Sequence, residues 1–538
     1  MSGDRQGRAP SRLLSGAVTT ITRMPSPVSR RLLWRGLIAA AVVAVVAGGV
    51  VAYVLLHAPG NVSNPSVAFN QPTSTAPPPP PRRHHRRNNF QWPWYGYNGG
   101  RTRLFASTPS MHPPFHIGWA VNQGTLLEFP PVIYHERLFL MGDNAVAKAI
   151  NIHTGHTLWQ RKIGTLAAAS PAVSGKTGLV LMPVLSTHGS SPGGGRFVAL
   201  SMKTGRMVWQ HQLPAGSESS PIVSGKTVFF GDQGGTLYSI SIPHGHVNWT
   251  YHASGAIKGG PALVNGVLYF GDYAGRAYAI RASNGHEVWA VGTNGAHFGF
   301  GSGQFYATPA VAFGRVYMGN TDGRVYSFGA SSGALGWATE TGSYVYASAA
   351  VADPPGLGPT VYAGSYDGNL YAFNARTGAI RWRHPAGGKI SGSSTVIGNV
   401  VYYSDLATKS TAGLNVVTGH QVFSFPDGAF TPVIADYHAV YLDGYGKIYE
   451  LLPGHRKSAA VGALHHRRRH HQQAAHKRHR GENAKHRRSA AARKRHAHHA
   501  AREHRRRHAQ REHRRHEAQR KTRHAVHRAA RKAKHKQH

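Results

Sequence analysis

Four aspartates recur along this chain in one local setting: Asp232, Asp272, Asp322 and Asp367, at intervals of 40, 50 and 45 residues. Carboxylates hold hard cations and move protons, so a recurring Asp is the first place to look for chemistry. Each of these, however, lies in a short Gly-containing turn, GDQGG, GDYAG, NTDGR or SYDGN. An Asp there accepts hydrogen bonds from its own turn, and one per turn serves four turns rather than one active site. The chain has no cysteine, which excludes thiolate metal sites, cysteine nucleophiles, disulfides and Cys-linked lipids. No Ser-His-Asp set or HExxH zinc motif stands out. The Gly-rich stretch from Gly189 to Arg196 is not followed by a helix, so it reads as a surface insertion and not an anion loop.

What positions these turns is an eleven-residue phrase present seven times. The copies are AINIHTGHTLW (Ala149 to Trp159), ALSMKTGRMVW (Ala199 to Trp209), SISIPHGHVNW (Ser239 to Trp249), AIRASNGHEVW (Ala279 to Trp289), SFGASSGALGW (Ser327 to Trp337), AFNARTGAIRW (Ala372 to Trp382) and GLNVVTGHQVF (Gly413 to Phe423). A small residue comes first, a Gly seventh and an aromatic last. A fixed period of this length signals stacked or radially arranged units. In the unit from Ser219 to Trp249, Ile222-Val223, Thr227–Phe230, Thr236–Ile242 and Val247–Tyr251 read as four short strands separated by turns. Four antiparallel strands in about 40 residues make one propeller blade. The last unit, from Pro432, has only three. Pro113–Val121, with Trp119 at the spacing of the other aromatics, supplies a fourth from the N-terminal side and closes the ring. The expected fold is all-β, an eight-bladed propeller of four-stranded blades; seven blades is the alternative if the composite blade does not form. Trp119, Trp159, Trp209, Trp249, Trp289, Trp337, Trp382 and Phe423 are the expected blade-docking residues.

These phrases resemble the pyrroloquinoline-quinone (PQQ) repeat with its tryptophan-docking motif, and WPWYGYNGGRTR, Trp92 to Arg103, is similar to that family's lead-in. The resemblance covers roughly Phe90 to Pro453. It implies the fold; it does not by itself imply the cofactor, because enzymes and non-enzymes share the repeat.

The formal charge of +41, from 62 Lys and Arg against 21 Asp and Glu, is concentrated at the ends: 29 of the basic residues follow Gly454 and 11 precede Phe90. Five segments follow. Residues 1–35 form a basic N-terminus expected on the cytoplasmic side. Residues 36–56, GLIAAAVVAVVAGGVVAYVLL, are an uncharged run long enough to span a membrane, with Arg23, Arg30, Arg31 and Arg35 before it; a retained signal anchor is expected, a cleaved signal peptide being the rival. Residues 57–89 are a Pro-rich basic linker, 90–453 the propeller, and 454–538 an Arg/His/Lys-rich low-complexity tail, disordered or helical. The tail has no aromatic residue to stack on bases, so binding to anionic polymer or lipid without sequence-specific recognition of nucleic acid is expected.

Three functions are compatible with this organisation. One is a non-catalytic, membrane-anchored extracytoplasmic scaffold with a protein partner on a propeller face. The second, implied by the resemblance, is a quinoprotein dehydrogenase using PQQ with calcium. Many such enzymes stack an adjacent Cys pair on the quinone, which this chain cannot form, and acidic residues here are sparse. The expectation is therefore no catalytic residue, no metal site and no cofactor. The third is polyanion binding by the tail with the propeller as platform, which is compatible with the first.

Overall fold

The computed structural model describes residues 38–45, 61–71, 89–107, 111–187, 194–293, 303–430 and 433–454. Within them, eight antiparallel sheets follow one another along the chain as blades. Blade 1 is built on Val132–Tyr134, Arg137–Met141, Val146–Asn151 and Thr157–Lys162. Blade 3, the unit analysed above, has its strands at Ile222–Ser224, Thr227–Gly231, Thr236–Ser241 and Val247–His252. Blade 8 is composite: Val433–Ala435, Val440–Asp443 and Lys447–Pro453 are completed by Phe115–Asn122, which pairs antiparallel with the last of them. The closing strand is therefore the expected one, displaced by one or two residues at each end.

The repeated phrase is two halves of a joint between blades. Its first residue lies directly across the sheet from its own aromatic, as Ala199 does from Trp209 and Ser239 from Trp249, and a bulge follows at once. A small side chain is required there because the indole lies against it. The indole then leans onto the next blade. Trp249 Nε1 donates to the Ala282 carbonyl at 3.2 Å, and a Cβ placed on Gly285 would lie 2.7 Å from the Trp249 ring. Gly285 has φ of 76°, so both its backbone and its missing side chain are used. The same pairing joins Trp119 to Ile152, Trp159 to Met202, Trp209 to Ile242, Trp289 to Ala330, Trp337 to Ala375 and Trp382 to Val416. Phe423 has no N–H to donate; its ring packs on Phe115 and Tyr402 instead. Apolar burial follows the same plan. Leucine, valine and aromatic side chains of neighbouring blades form clusters between the sheets, such as Val228, Phe230 and Ile240 against Leu181 and Phe197.

Three blades carry a fifth strand that the repeat does not announce. Gln91–Trp92 pairs with blade 1, and Leu104–Phe105 runs parallel to the innermost strand of blade 7. Val62–Ser63 adds to the outer edge of blade 5, opposite Trp337 and Ala338. This corrects the reading of residues 57–89 as spacer throughout, since 61–71 are docked. The cause is local. Blade 5 has Gly336 on its outer strand, a Cβ there would collide with the Arg315 guanidinium, and Arg315 uses that space to donate to the carbonyls of Val67 and Ala68 at 2.6 Å each. Residues 38–45 are helical, and the remainder of the expected membrane span 36–56 lies outside the described residues, as does the tail from 455. Among the described residues no helix is long and apolar enough to cross a membrane.

The joint predicts a double-mutant result. Gly285→Ala should destabilise more than Gly266→Ala, which has φ of 75° but open space around its Cβ, with an excess of about 1–3 kcal/mol. In a Trp249→Ala background, itself costing about 3–5 kcal/mol, that excess should vanish. Urea denaturation of the four variants measures it.

Candidate functional site

The innermost strands surround an axial channel, and residues 91–105 close its floor. This segment travels around the ring, and its carbonyls accept from one inner strand after another. Pro93 accepts from Val173, Gly99 from Leu263, Gly100 from Val311, Thr102 from Val351 and Arg103 from Val396, all at 2.7–2.9 Å. A Cβ on Gly99 or Gly100 would lie 2.5 or 2.4 Å from the Leu263 or Val311 carbonyl oxygen, so both positions demand glycine. Arg101 and Arg103 are fully buried at the centre. Arg101 donates to the carbonyls of Tyr95, Ser220, Pro221 and Pro261, and Arg103 to those of Arg101, Thr308 and Ala349. Among the described residues no carboxylate meets either guanidinium; the Arg103 group lies 4.8 Å from the centre of the Tyr95 ring instead. Burial pulls the Arg101 guanidinium down to about 9, helped by Arg103 and opposed by Tyr95, which leaves it charged at neutral pH.

Above this floor lies a cavity of about 250 Å³. One register position, four residues before each innermost strand begins, fills its wall: Glu128, Glu218, Lys258, Tyr306, Tyr346 and Ser391 in blades 1, 3, 4, 5, 6 and 7. Two residues on, a hydroxyl ring holds the blades together. Ser220 Oγ accepts from Ser170 N–H, Thr308 Oγ1 from Gly260 N–H and Ser348 Oγ from Thr308 N–H, at 2.9–3.0 Å. Tyrosines continue outward as an arc: Tyr273 to Tyr306, Tyr306 to Tyr346, Tyr346 to Tyr366 and Tyr344 to Tyr346, with ring centres 4.8–6.3 Å apart. Acidic groups occupy the other side. Lys258 Nζ lies 3.1 Å from Glu218 and 4.9 Å from the Tyr273 ring centre. Burial and the nearby Glu218 push the Glu128 carboxyl up to about 7, against the pull of Lys258. Burial and Glu128 push Asp143 up to about 8.

None of the residues expected from sequence lies in this cavity. Asp232, Asp272, Asp322 and Asp367 each cap their own turn and accept from a tyrosine hydroxyl two strand positions on: Tyr238, Tyr278, Tyr326 and Tyr371. Trp119, Trp159, Trp209, Trp249, Trp289, Trp337 and Trp382 are at blade joints. The cavity residues had a signal in the sequence that was not used. In blades 1 and 3 to 7 the position four before the innermost strand reads Glu, Glu, Lys, Tyr, Tyr and Ser, and a polar residue that recurs at one register without a fixed identity is not serving the frame. Among the described residues no three His, Cys, Asp or Glu side chains converge to hold a metal ion.

The family described as outer membrane protein assembly factor BamB matches residues 142–353 and 322–454. Among solved structures, BamB from Moraxella catarrhalis is similar at 18% identity and TM-score 0.52, over 63% of this chain and 100% of that one. A europium-containing methanol dehydrogenase is similar at 12% identity and TM-score 0.56, over 68% of this chain and 98% of that one. Quinohemoprotein alcohol dehydrogenase from Comamonas testosteroni is similar at 13% identity and TM-score 0.55, over 68% and 80%. At such identities the likeness is one of fold. No curated protein matches the sequence significantly.

The shifted carboxyls make stability depend on pH in a definite direction. A carboxyl held above its unfolded value keeps its proton in the folded chain after the unfolded chain has released it, so stability falls as pH rises from the unfolded value to the folded one. For Glu128 that window runs from 4.5 to about 7 and for Asp143 from 3.8 to about 8. The urea midpoint should therefore decrease between pH 5 and pH 8, and Glu128→Gln should reduce the decrease between pH 5 and 7.

Proposed function

The chain belongs to the PQQ-repeat β-propeller family described as outer membrane protein assembly factor BamB, and on that premise we propose that it is a membrane-anchored, extracytoplasmic, non-catalytic scaffold for a protein partner. The observation that carries this reading is the tyrosine arc at the channel mouth. Tyrosine dominates the energetics of protein interfaces because it presents a large rigid surface with a polar tip. Tyr344, at the outer end of the arc, is half exposed, and the joints and floor hold the blades beneath it in fixed relation. The uncharged run 36–56, with Arg23, Arg30, Arg31 and Arg35 before it and no Lys or Arg after it until Arg82, supports a single-pass anchor with the N-terminus cytoplasmic. The 29 basic residues after Gly454 support contact of the tail with anionic polymer or lipid.

The dehydrogenase reading meets a chemical objection at the cavity. Calcium takes six to eight oxygen ligands, with carboxylates prominent among them. The cavity wall offers Glu128 and Glu218; Glu218 is already bonded to the Lys258 ammonium, which would repel a divalent cation, and Glu128 holds its proton until about pH 7. This donor set does not fit a calcium–quinone pair, and no role for PQQ is assigned.

The test is capture of partners from detergent-solubilised membranes with the full chain, a chain ending at Pro453, and the full chain carrying Tyr344→Ala and Tyr366→Ala. A protein retained by the first two and reduced at least tenfold by the tyrosine changes is expected. Retention unaffected by those changes would remove the mouth as the interface. Dye reduction with added quinone and calcium would contradict the non-catalytic assignment.

A further inference from the structure

We propose that the channel mouth is a receptor for a cationic side chain, a guanidinium or primary ammonium, seated between Glu128 and the tyrosine wall. The proposal rests on the scaffold reading only for the source of that side chain, a segment of the partner.

The cavity already shows how it treats a cation. Lys258 enters from blade 4, and its ammonium pairs with Glu218 at 3.1 Å while lying over the rings of Tyr273 and Tyr306, 4.9 and 5.9 Å from their centres. Carboxylate on one side and aromatic faces on the other is the arrangement that stabilises a partly desolvated organic cation. Lys258 satisfies Glu218 and leaves Glu128 open. Glu128 has no hydrogen-bond partner among the described residues, and neither has the Asp143 carboxyl behind it. Glu128 and Asp143 stand on blade 1, and Tyr306 and Tyr346 on blades 5 and 6, so the open carboxylate and the tyrosine wall come from opposite sides of the ring.

Size narrows the ligand. Pockets for drug-sized molecules run from about 300 to 1,000 Å³. At about 250 Å³, with the floor closed by residues 91–105, this cavity suits the end of one long side chain. Sign narrows it further. The groups facing Glu128 are Glu218, Lys258, Asp143 and the Tyr306 hydroxyl. With all carboxyls ionised they sum to an excess of negative charge that one incoming cation reduces. A cation in the seat favours the ionised form of Glu128, so binding should strengthen as pH rises from 6 to 8.

Calorimetry on the full chain in detergent, with three blocked amino acids as probes, tests this. The probes are N-acetylarginine methylamide, N-acetyllysine methylamide and N-acetylcitrulline methylamide, the last matching arginine in shape without its charge. Both cationic probes should bind, citrulline at least tenfold more weakly, and the arginine probe at least threefold more tightly at pH 8 than at pH 6. Glu128→Gln should weaken the arginine probe about tenfold and reduce that pH dependence to the part that Asp143 contributes. Equal binding of arginine and citrulline probes to the unaltered chain, or no binding of either cation, would overturn the proposal without reference to any variant. A captured protein partner together with silent probes would leave the scaffold and remove the cation seat; bound probes with no captured partner would do the reverse.

Discussion

Two buried guanidinium groups, with no carboxylate partner among the described residues, are the feature on which this propeller turns. Removing a charge from water costs several kcal/mol even after relaxation, and an aliphatic residue at either position would avoid that cost. Arg101 and Arg103 meet it with carbonyls alone, drawn from four different blades and from the floor segment itself. Those carbonyls belong to the backbone entering the innermost strands. The guanidinium groups therefore act on the ring from its centre, while the amides of Val173, Leu263, Val311, Val351 and Val396 close onto the floor from the side. Arg101 and Arg103 also adopt positive φ, at 53° each, a conformation that non-glycine residues keep only when their surroundings over-determine it.

This centre and the peripheral joints divide the work. Each indole-on-glycine joint fixes one blade to the next, and its energy is local. The floor connects blades that are not neighbours. Together they leave the channel wall free of structural duty, which is why one register position can hold Glu, Lys, Tyr or Ser in successive blades at no cost to the fold. The hydroxyl ring of Ser220, Thr308 and Ser348 lies between the two, binding adjacent blades just below the variable position.

The joint was fully legible in the sequence, because it repeats: the small residue and the Trp of one copy and the Gly of the next are three contacts of one interface. Closure by the strand containing Trp119 was legible from the same spacing. The floor was not. Its lead-in phrase, Trp92 to Arg103, occurs once and serves all blades in turn, so no periodicity exposes it, and an Arg that caps carbonyls looks like any surface Arg. The docking of residues 61–71 was hidden for a similar reason. It depends on one glycine, Gly336, replacing the larger residues found at the corresponding place in other blades, and thereby admitting Arg315. The cavity was hidden because repeats draw attention to what is constant, and the site is what varies.

The central claim is that residues 91–105 make the inner strands of separate blades one cooperative unit. Native-state amide hydrogen exchange measures this directly at Val173, Leu263, Val311, Val351 and Val396, whose N–H groups end on the floor. The account predicts that all five open with a single free energy equal to that of global unfolding, and that Arg101→Met lowers all five together. Five distinct opening energies, each following its own blade and only Leu263 responding to the substitution, would contradict it.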